Sequence, residues 1–312
     1  MYTIGVDLGG TNIKAALVDE QGGILQEASR PTNLPRPAQA VCDDIADLCR
    51  QLMAGHTVAG VGIGCPGTVD DADGMVLYSN NLDWSNFAMG PYLKERLGLP
   101  VRLANDANAA ALGEALAGCA KGADSAVILT LGTGVGGGVV LGGKLLTGYT
   151  GAAAEPGHMV VNDAPDAPLC TCGRRGCLEA YASATALIRM TKDAMAAHPE
   201  SALWKLADLD TVTGRTAFDG RDAGDAAAAA VVAEYTHWLA VGIANLVNIF
   251  FPQVVGLSGG VANQGEALLA PLRAQVEPMV FGSAFARKKT TLTTCTLGYR
   301  AGVIGAGLLA QR

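Results

Sequence analysis

The sequence has few aromatic residues, few charged residues and no surplus of basic ones. Aromatic residues make up 5% and charged residues 16% of the 312 positions, whereas charged residues reach about 25% in an average globular protein. The formal net charge is −7 at pH 7, so we expect no broad basic surface that attracts a polyanion. The composition therefore predicts a protein that binds no nucleic acid.

The chain also lacks a run of residues suited to a membrane span or to a secretory signal. Two stretches contain no Asp, Glu, Lys or Arg, namely Ser125–Gly143 and Tyr235–Gly265. The first holds seven glycines, and the second holds Pro252 and a pair of adjacent glycines, which is unlike a spanning helix. The first residues show neither the basic start nor the apolar core of a secretory signal. These patterns predict a soluble, cytoplasmic protein that does not bind membranes.

Glycine, in contrast, is abundant. The 41 glycines are about 13% of the 312 residues, against ~7% in an average protein. They lie in clusters without a fixed period, which argues against collagen and against a low-complexity linker. The length predicts two domains of ordinary size.

Strands and helices alternate along the chain, and one supersecondary unit occurs twice. We predict strands over Thr3–Val6, Ile13–Val18, Ile24–Ala28, Val58–Ile63, Val101–Leu103, Ala126–Leu131, Val135–Leu141, Val254–Leu257 and Thr290–Thr294. We predict helices over Ala38–Ala54, Met89–Leu97, Ala107–Leu116, Ser183–Ala197, Ala223–Phe251, Glu266–Val280 and Tyr299–Ala310. The opening unit of strand, Gly- and Thr-rich turn and strand recurs from residue 125 onward, which predicts duplicated domains.

Two G-x-G-x-x-G patterns, at 62–67 and 132–137, invite comparison with dinucleotide-binding loops. That fold needs a helix directly after the loop, but we predict a strand over Val135–Leu141 and an acidic turn over Thr68–Gly74. The chain also contains no G-x-x-x-x-G-K-[ST] loop. Neither a dinucleotide-binding fold nor a P-loop enzyme is therefore predicted.

Glycine-rich hairpin tips offer another way to hold phosphate. Backbone N–H groups approach phosphate oxygens closely where no Cβ intervenes, so the tips after Asp7 and after Leu131 are candidates to grip a triphosphate. Asp7, at the end of the first strand, is a candidate anchor for Mg²⁺. Each tip taken alone fits a plain tight turn equally well.

Three of the eight cysteines lie within one short segment. Cys170, Cys172 and Cys177 stand among glycines and arginines, and His158 lies twelve residues before the first of them. Three sulfurs and one imidazole nitrogen form the closed tetrahedral set of a structural Zn²⁺ site, whereas cysteines that pack as small hydrophobic residues suit so irregular a loop less well. We interpret the other five as buried fillers: Cys42, Cys49, Cys65, Cys119 and Cys295.

Several motifs along the chain resemble those of one known family. Asp7–Asn12, Leu131–Gly138 and Leu257–Gly260 resemble the two phosphate loops and the nucleotide-side turn of the sugar kinases and repressors grouped as ROK proteins. Asn105-Asp106, Glu155-x-Gly157-His158 and the cysteine loop follow in the expected order. The resemblance implies an α/β fold of two duplicated actin-like (ribonuclease H-like) ATPase domains with an inter-domain cleft.

The resemblance also implies a domain division and a set of ligands. Residues 1–112 with 297–312 are expected to form the smaller domain, closed by the C-terminal helix. Residues 113–296 are expected to form the larger domain, with the zinc loop and the nucleotide-side turn. The implied ligands are ATP with Mg²⁺, a hexose and a structural Zn²⁺, and the implied assembly is a homodimer.

Individual residues receive roles from the same resemblance. Asp106 is implied to be the base that accepts the proton of the attacking sugar hydroxyl, and Asn105 is implied to bind sugar hydroxyls. A helix N-cap is the ordinary alternative for this pair, and the two roles are compatible. The other residues implied to bind the sugar are Gly67, Glu155, His158 and Glu179. The residues implied to bind ATP and Mg²⁺ are Asp7, Gly9, Gly10, Thr11, Asn12, Lys14, Gly132, Thr133, Gly134, Gly259 and Gly260.

His158 thus has two implied roles, because one ring nitrogen can bind Zn²⁺ while the other donates to a sugar hydroxyl. Ala154 and Pro156 depart from the family, which more often has Gly and an aliphatic residue around Glu155. This departure can shift Glu155 and change which hexose fits.

The leading functional interpretation is transfer of the γ-phosphoryl group of ATP to the 6-hydroxyl of glucose. Kinases for N-acetylmannosamine or fructose share these motifs and remain alternatives. A sugar-responsive repressor is less favoured, because the first phosphate loop begins at Asp7 and leaves no room for the N-terminal helix-turn-helix domain of the family's transcription factors. A pure sugar-binding protein fits less well with the presence of Asp7, Asp106 and both phosphate loops.

Two further segments carry weaker expectations. Asn80–Trp84 is expected to be a loop that contacts sugar or a turn with a partly buried Trp. His237 and Trp238 lie in a helical pattern and are expected to be packing residues.

Overall fold

The computed structural model describes residues 1–312, within which two compact units can be distinguished. The first comprises Met1–Ile128, Gly138–Ala154 and Cys295–Arg312, and the second comprises Leu129–Gly137 and Glu155–Thr294. The α/β class predicted from the sequence is confirmed. The domain division at 112/113 and 296/297 stays a prediction.

Thirteen strands and ten α-helices make up the fold. The strands are β1 (Tyr2–Leu8), β2 (Asn12–Val18), β3 (Ile24–Pro31), β4 (Val58–Cys65), β5 (Thr68–Asp70), β6 (Met75–Ser79), β7 (Trp84–Phe87), β8 (Val101–Asn105), β9 (Ser125–Leu131), β10 (Val135–Leu141), β11 (Lys144–Leu145), β12 (Val254–Ser258) and β13 (Thr291–Thr294). The helices are α1 (Ala38–Met53), α2 (Met89–Leu97), α3 (Asp106–Leu116), α4 (Glu179–Ala182), α5 (Ala184–Ala197), α6 (Leu203–Leu206), α7 (Thr216–Asp222), α8 (Ala226–Phe250), α9 (Glu266–Met279) and α10 (Ala301–Leu309). Every strand and helix predicted from the sequence is present, with ends that differ by at most three residues.

The first unit is built on a five-stranded sheet with the order β3–β2–β1–β4–β8. Strands β1, β2 and β3 pair antiparallel, whereas β4 and β8 continue the sheet in parallel with β1. Alternate residues of a strand face opposite sides, so Ile4, Val6 and Leu8 of β1 point into one core, which they share with Ile45 of α1. The apolar side of α1, which the amphipathic pattern predicts, therefore covers this face of the sheet.

The opposite face of β1 packs against α10. The hydroxyl of Thr3 donates a hydrogen bond to the carbonyl oxygen of Gly307 at 2.8 Å, and a Cβ on Gly5 would overlap the backbone of Val303. Helix α10 also touches α3 so closely that a Cβ on Gly305 would overlap the Ala109 carbonyl. Part of the glycine excess thus serves close packing of backbones, which the clustering of glycines in turns did not predict.

A second five-stranded sheet has the order β11–β10–β9–β12–β13. In both sheets the first strand of the glycine-turn hairpin lies between its hairpin partner and a strand from later in the chain. This shared order confirms the repeated strand, turn and strand unit predicted from the sequence.

Three local expectations were right only in part. Thr68–Gly74 is not only an acidic turn, because β5 pairs with β6 and β6 pairs with β7 in a third, antiparallel sheet. Trp84 begins β7 and is 5% exposed, so it is fully packed and not partly buried at the end of a loop. His237 is exposed on α8, whereas Trp238 packs against Tyr181 with ring centroids 4.4 Å apart. The short length of β5 to β7 explains why alternation alone did not reveal them.

Helix α8 is long and apolar enough to cross a membrane by length and composition. Half of its most apolar stretch is buried inside the protein, including the fully buried side chain of Tyr235, whose hydroxyl donates a hydrogen bond to the Ala182 carbonyl. Core helices of soluble proteins pass the same test, so α8 is weak support for a membrane span.

Candidate active site

Two aspartates lie at one edge of the first sheet. Strands β1, β4 and β8 are parallel neighbours, and the register pairs Asp7 with Gly64 and Cys65 with Asn105. Their carboxyl ends therefore meet at the same edge, which is where open α/β sheets bind ligands. Asp7 lies there at the end of β1, and Asp106 follows β8 as the first residue of α3.

Burial is the largest influence on the pKa of both carboxyl groups. Burial raises the pKa of Asp7 above its ordinary value of 3.8; Lys14, whose ammonium lies 4.0 Å from the carboxylate, opposes this, and the charge of Asp106 adds to it. Burial also raises the pKa of Asp106, while hydrogen bonds led by the N–H of Ala107 oppose the rise. A carboxylate with a raised pKa is a better proton acceptor, so the edge of the sheet suits base catalysis.

Asn105 holds the start of α3 in place. Its side-chain oxygen accepts hydrogen bonds from the N–H groups of Ala107 at 2.9 Å and Asn108 at 3.2 Å, which confirms the predicted N-cap. Its amide nitrogen donates to the carbonyl oxygen of Gly67 at 3.0 Å. Gly67 has φ = 103°, a conformation that favours glycine. Asn105 therefore connects Gly67 to Asp106, and sugar binding by Asn105 stays a prediction.

The first glycine-rich loop is a tight turn with an exposed tip. The N–H of Gly9 donates to the carbonyl oxygen of Asn12 at 2.9 Å, and the hydroxyl of Thr32 donates to the carbonyl oxygen of Gly9 at 2.7 Å. Gly10, Thr11 and Asn12 are exposed. Hydrogen bonds at Gly9 thus fix the base of the turn, while its tip is open to a ligand, as a phosphate loop requires.

The second unit repeats this arrangement at the ends of β9 and β12. The loop at Gly132 is held by the start of α5, because its carbonyl oxygen accepts the N–H of Ala184 at 2.8 Å and the carbonyl oxygen of Thr133 accepts the hydroxyl of Thr185 at 2.8 Å. Gly259 follows β12 with φ = 88°, and a Cβ there would overlap the backbone of Leu131. The two glycine turns of this unit therefore lie against each other.

Adjacent glycines of the second turn offer a matched test of this packing. We expect Gly259→Ala to lower the free energy of unfolding by about 1–3 kcal/mol, because alanine is strained at this φ and meets backbone that cannot move aside. Gly260→Ala is the control, since its φ is −59° and no atom lies within 4 Å of its Cβ position; we expect a change within about 0.5 kcal/mol. Urea unfolding of the ligand-free variants measures both, and equal effects would contradict the packing of Gly259 on Leu131.

The four predicted metal ligands converge in the second unit. His158, Cys170, Cys172 and Cys177 place one ligand atom each within 4.8 Å of one another. His158 Nδ1 lies 3.7 Å from Cys170 Sγ, and Cys172 Sγ lies 3.7 Å from Cys177 Sγ. Tetrahedral Zn²⁺ with Zn–S bonds of about 2.3 Å separates its sulfurs by about 3.8 Å. The donor set and its spacing therefore fit a closed zinc site.

The fold around the cluster is irregular and held by the backbone. Bridges between Val160 and Cys177 and between Leu169 and Arg175 close the loop. Arg174 donates from its guanidinium to the carbonyl oxygen of His158 at 3.0 Å. The N–H and then the guanidinium of Arg174 lower the pKa of Cys172 to about 6. The sequence alone predicts no role for this arginine.

Glu179 joins the cysteine loop to the second glycine-rich loop. One carboxylate oxygen accepts the N–H of Val135 at 3.1 Å, and the other accepts the hydroxyl of Thr171 at 2.6 Å and lies 3.4 Å from Cys170 Sγ. A Cβ on Gly134 would overlap this carboxylate. Glycine at 134 thus makes room for Glu179. The sequence does not predict the hydrogen bond between Thr171 and Glu179, because no spacing rule marks these two residues as partners.

Glu155 begins the turn that carries His158. It is exposed, and Pro156–His158 forms a single 3-10 turn in which a Cβ on Gly157 would overlap the backbone of Val135. Ala154, just before this turn, has φ = 61°, a conformation that costs a non-glycine residue free energy. The backbone at Ala154 therefore has the conformation that glycine would adopt without strain.

Each unit thus presents part of the predicted site. The first brings together the two aspartates, the first loop with Lys14, and the pair Asn105 and Gly67. The second brings together both of its glycine turns, Glu179 and the metal cluster. A phosphoryl transfer needs a base, anchors for phosphate and polar groups for an acceptor, and all three classes of group are present.

Comparisons with known proteins agree with these features. A family model described as ROK family matches residues 3–312. A glucokinase of Thermotoga maritima is 40% identical over 310 residues, which cover 99% of this chain and 96% of that protein. The crystal structure of a ROK family glucokinase from Streptomyces griseus in complex with glucose and AMPPNP is 39% identical, has a TM-score of 0.78 and covers 100% of this chain and 99% of its own.

Repressors are more distant. The xylose repressor of Caldicellulosiruptor bescii is 30% identical over 307 residues, which cover 97% of this chain and 76% of the repressor. The chain therefore matches glucokinases along nearly their full length and the repressor along only part of it.

Proposed function

Because the chain belongs to the ROK family, we propose that it transfers the γ-phosphoryl group of ATP to the 6-hydroxyl of glucose. The family and the actin-like ATPase fold predicted from the sequence are confirmed by the full-length similarity to glucokinases. The chain is a sugar kinase that phosphorylates glucose with ATP, and the proposal adds the position of attack and the residues that act.

Asp106 is the proposed base. Its carboxylate stands at the first position of α3, at the edge where three parallel strands end. The raised pKa of this half-buried carboxyl group favours proton acceptance from a sugar hydroxyl in the transition state. The capping bonds of Asn105 and the contact between Asn105 and Gly67 orient it. This combination of position and pKa is the structural observation that most favours kinase chemistry.

Asp7 and the glycine-rich turns are the proposed ATP site. Mg²⁺, when bound, would neutralise phosphate charge, and Asp7 is the carboxylate placed to hold it beside the exposed tip of the first loop. Lys14, near Asp7, supplies a positive charge for the phosphates. The turns at Gly132–Gly134 and Gly259-Gly260 provide backbone N–H groups in the second unit.

The zinc cluster is proposed to position the sugar-binding residues. His158 directs Nδ1 toward the cysteine sulfurs, which leaves Nε2 to donate to a sugar hydroxyl once the metal fixes the ring. Glu179 lies against Cys170 and binds the second loop. Glu155 stands three residues before His158 on the same turn. A sugar with a missing or inverted hydroxyl leaves such polar groups unpaired and therefore binds poorly. This is the proposed source of selectivity.

We propose that the protein is cytoplasmic, that it forms a homodimer as the family resemblance implies, and that it feeds glucose into glycolysis. The repressor alternative is not favoured, because glucokinases are the nearer relatives.

A panel of acceptors tests the proposed substrate. ADP release coupled to NADH oxidation is measured with glucose, mannose, fructose, N-acetylglucosamine and N-acetylmannosamine at equal concentrations. We expect glucose to give the highest kcat/KM, and by at least tenfold over N-acetylmannosamine and fructose, because a mismatched hydroxyl leaves a buried group unpaired. A higher kcat/KM for one of the other sugars would replace glucose as the assigned acceptor.

A further inference from the structure

Two cysteines outside the metal cluster lie side by side in the first unit. Cys119 Sγ and Cys295 Sγ are 3.9 Å apart, although 176 positions separate them in the sequence. Both are partly exposed, so the expectation that they are buried fillers was wrong. The same expectation is confirmed for Cys42, Cys49 and Cys65, which are fully buried.

The buried carboxylate of Glu114 holds the backbone beside each of these two cysteines. Glu114 is 1% exposed, and its carboxylate accepts the N–H groups of Cys119 at 2.9 Å, Thr296 at 3.0 Å and Leu297 at 2.7 Å. Cys119 lies three residues beyond the end of α3, and Cys295 directly follows β13. The two sulfurs are therefore held close by a specific contact in segments that belong to no helix or strand.

The bonds of Glu114 decide which chemistry this pair can perform. Glu114, Cys119 and Cys295 are close enough to be considered together as metal ligands, but three N–H groups already occupy the carboxylate. Two thiols alone fall short of the four ligands of a structural zinc site. A disulfide, by contrast, needs only two sulfurs about 2.05 Å apart. The two sulfurs would have to move about 2 Å closer together to reach this bond length. Rotation of the two side chains can bring them together, because both lie in irregular segments.

We propose that Cys119 and Cys295 are a thiol pair that hydroperoxides oxidise to a reversible intramolecular disulfide. One sulfur attacks the O–O bond of hydrogen peroxide, gives a sulfenic acid and releases one water molecule once the thiol proton is transferred. The second thiol attacks the sulfenic sulfur, forms the S–S bond and releases its proton with the hydroxyl as a second water molecule. Two thiols and one hydrogen peroxide thus give one disulfide and two water molecules, and the sulfurs supply the two electrons.

The disulfide would join the end of α3 to the segment that leads into α10. These helices already pack backbone to backbone at Gly305 and Ala109. A covalent link between positions so far apart in sequence restricts the unfolded chain strongly. We therefore expect the oxidised protein to unfold at a temperature higher by on the order of 5 °C.

Oxidation of zinc-replete protein tests the proposal independently of its kinase activity. The protein is treated with hydrogen peroxide, alkylated without reduction, digested and analysed by mass spectrometry, with zinc content measured in parallel. We expect a peptide pair linked through Cys119 and Cys295, a loss of two free thiols per chain, and reversal by dithiothreitol. Cys119→Ser and Cys295→Ser should each abolish the linked peptide and the rise in unfolding temperature.

Metal-free protein provides the positive control for the oxidation itself. Cys172 and Cys177 are 3.7 Å apart and should become linked once no metal protects them. Absence of the link between Cys119 and Cys295 at a peroxide dose that links Cys172 to Cys177 would overturn the proposal. So would oxidation of Cys119 or Cys295 to sulfonic acid without a link. The result on the wild-type chain decides the matter even if a serine variant fails to fold.

Discussion

Asp106→Asn is expected to lower kcat by about 10²–10⁴-fold, the usual contribution of a general base. Asparagine keeps the size and can still accept from Ala107 N–H at the start of α3, but it does not take a proton from the sugar hydroxyl. Glucose affinity and the unfolding temperature should change little. Steady-state kinetics, glucose titration by calorimetry and thermal unfolding measure the three quantities.

The pH profile supplies a second readout of the same residue. Because burial raises the pKa of Asp106, the acidic decline of kcat/KM should have its midpoint above 3.8, with activity lost as the pH falls through it. This decline should be altered in Asp106→Asn. Asp71→Asn is a control, because Asp71 is an exposed residue of the turn after β5, and it should retain wild-type kinetics. Retention of more than about a tenth of kcat by Asp106→Asn would contradict the assignment.

Loss of the proposed zinc ion is the second change with a large expected effect. Cys177→Ser removes one of four ligands and should reduce bound zinc from about one per chain to a small fraction. The loop that carries Cys170 and Thr171 would then no longer hold Glu179, and His158 would lose its fixed orientation. We expect glucose affinity to fall by at least tenfold, in the range that loss of supporting interactions around a metal site typically causes. Elemental analysis and glucose titration measure these effects.

Another cysteine provides the matched control for this prediction. Cys119→Ser alters a cysteine of the first unit that lies outside the metal cluster. It should retain both zinc and glucose affinity. Chelation of the wild-type protein should reproduce the Cys177→Ser result. A metal-free preparation that binds glucose with unchanged affinity would refute the positioning role of the metal.

The sequence predicts the fold well where its signals are local. The strand, glycine turn and strand unit is visible because β-branched runs flank Gly-rich tips, and both copies are present. The third sheet was missed because β5 and β7 have three and four residues, too few for alternation to stand out. Gly5 and Gly305 were also missed, since backbone contact between distant elements leaves no spacing pattern.

The residues of the candidate site also differ in whether a local sequence pattern reveals them. Cys170, Cys172, Cys177 and His158 were found together because metal ligands recur at short, recognisable intervals, and the structure brings them within reach of one ion. The hydrogen bond from Thr171 to Glu179 could not be predicted, because it depends on how the loop folds back. The contact between Cys119 and Cys295 joins positions 176 apart, so only the three-dimensional fold reveals it.

Identification of the phosphorylated product is the most direct test of the proposed activity. The protein is incubated with glucose, ATP and Mg²⁺, and the product is detected by glucose-6-phosphate dehydrogenase, which reduces NADP only when glucose 6-phosphate is formed. We expect one NADPH for each ADP released. ADP release without NADPH, or no ADP release with glucose present, would contradict transfer of the phosphoryl group to the 6-hydroxyl of glucose.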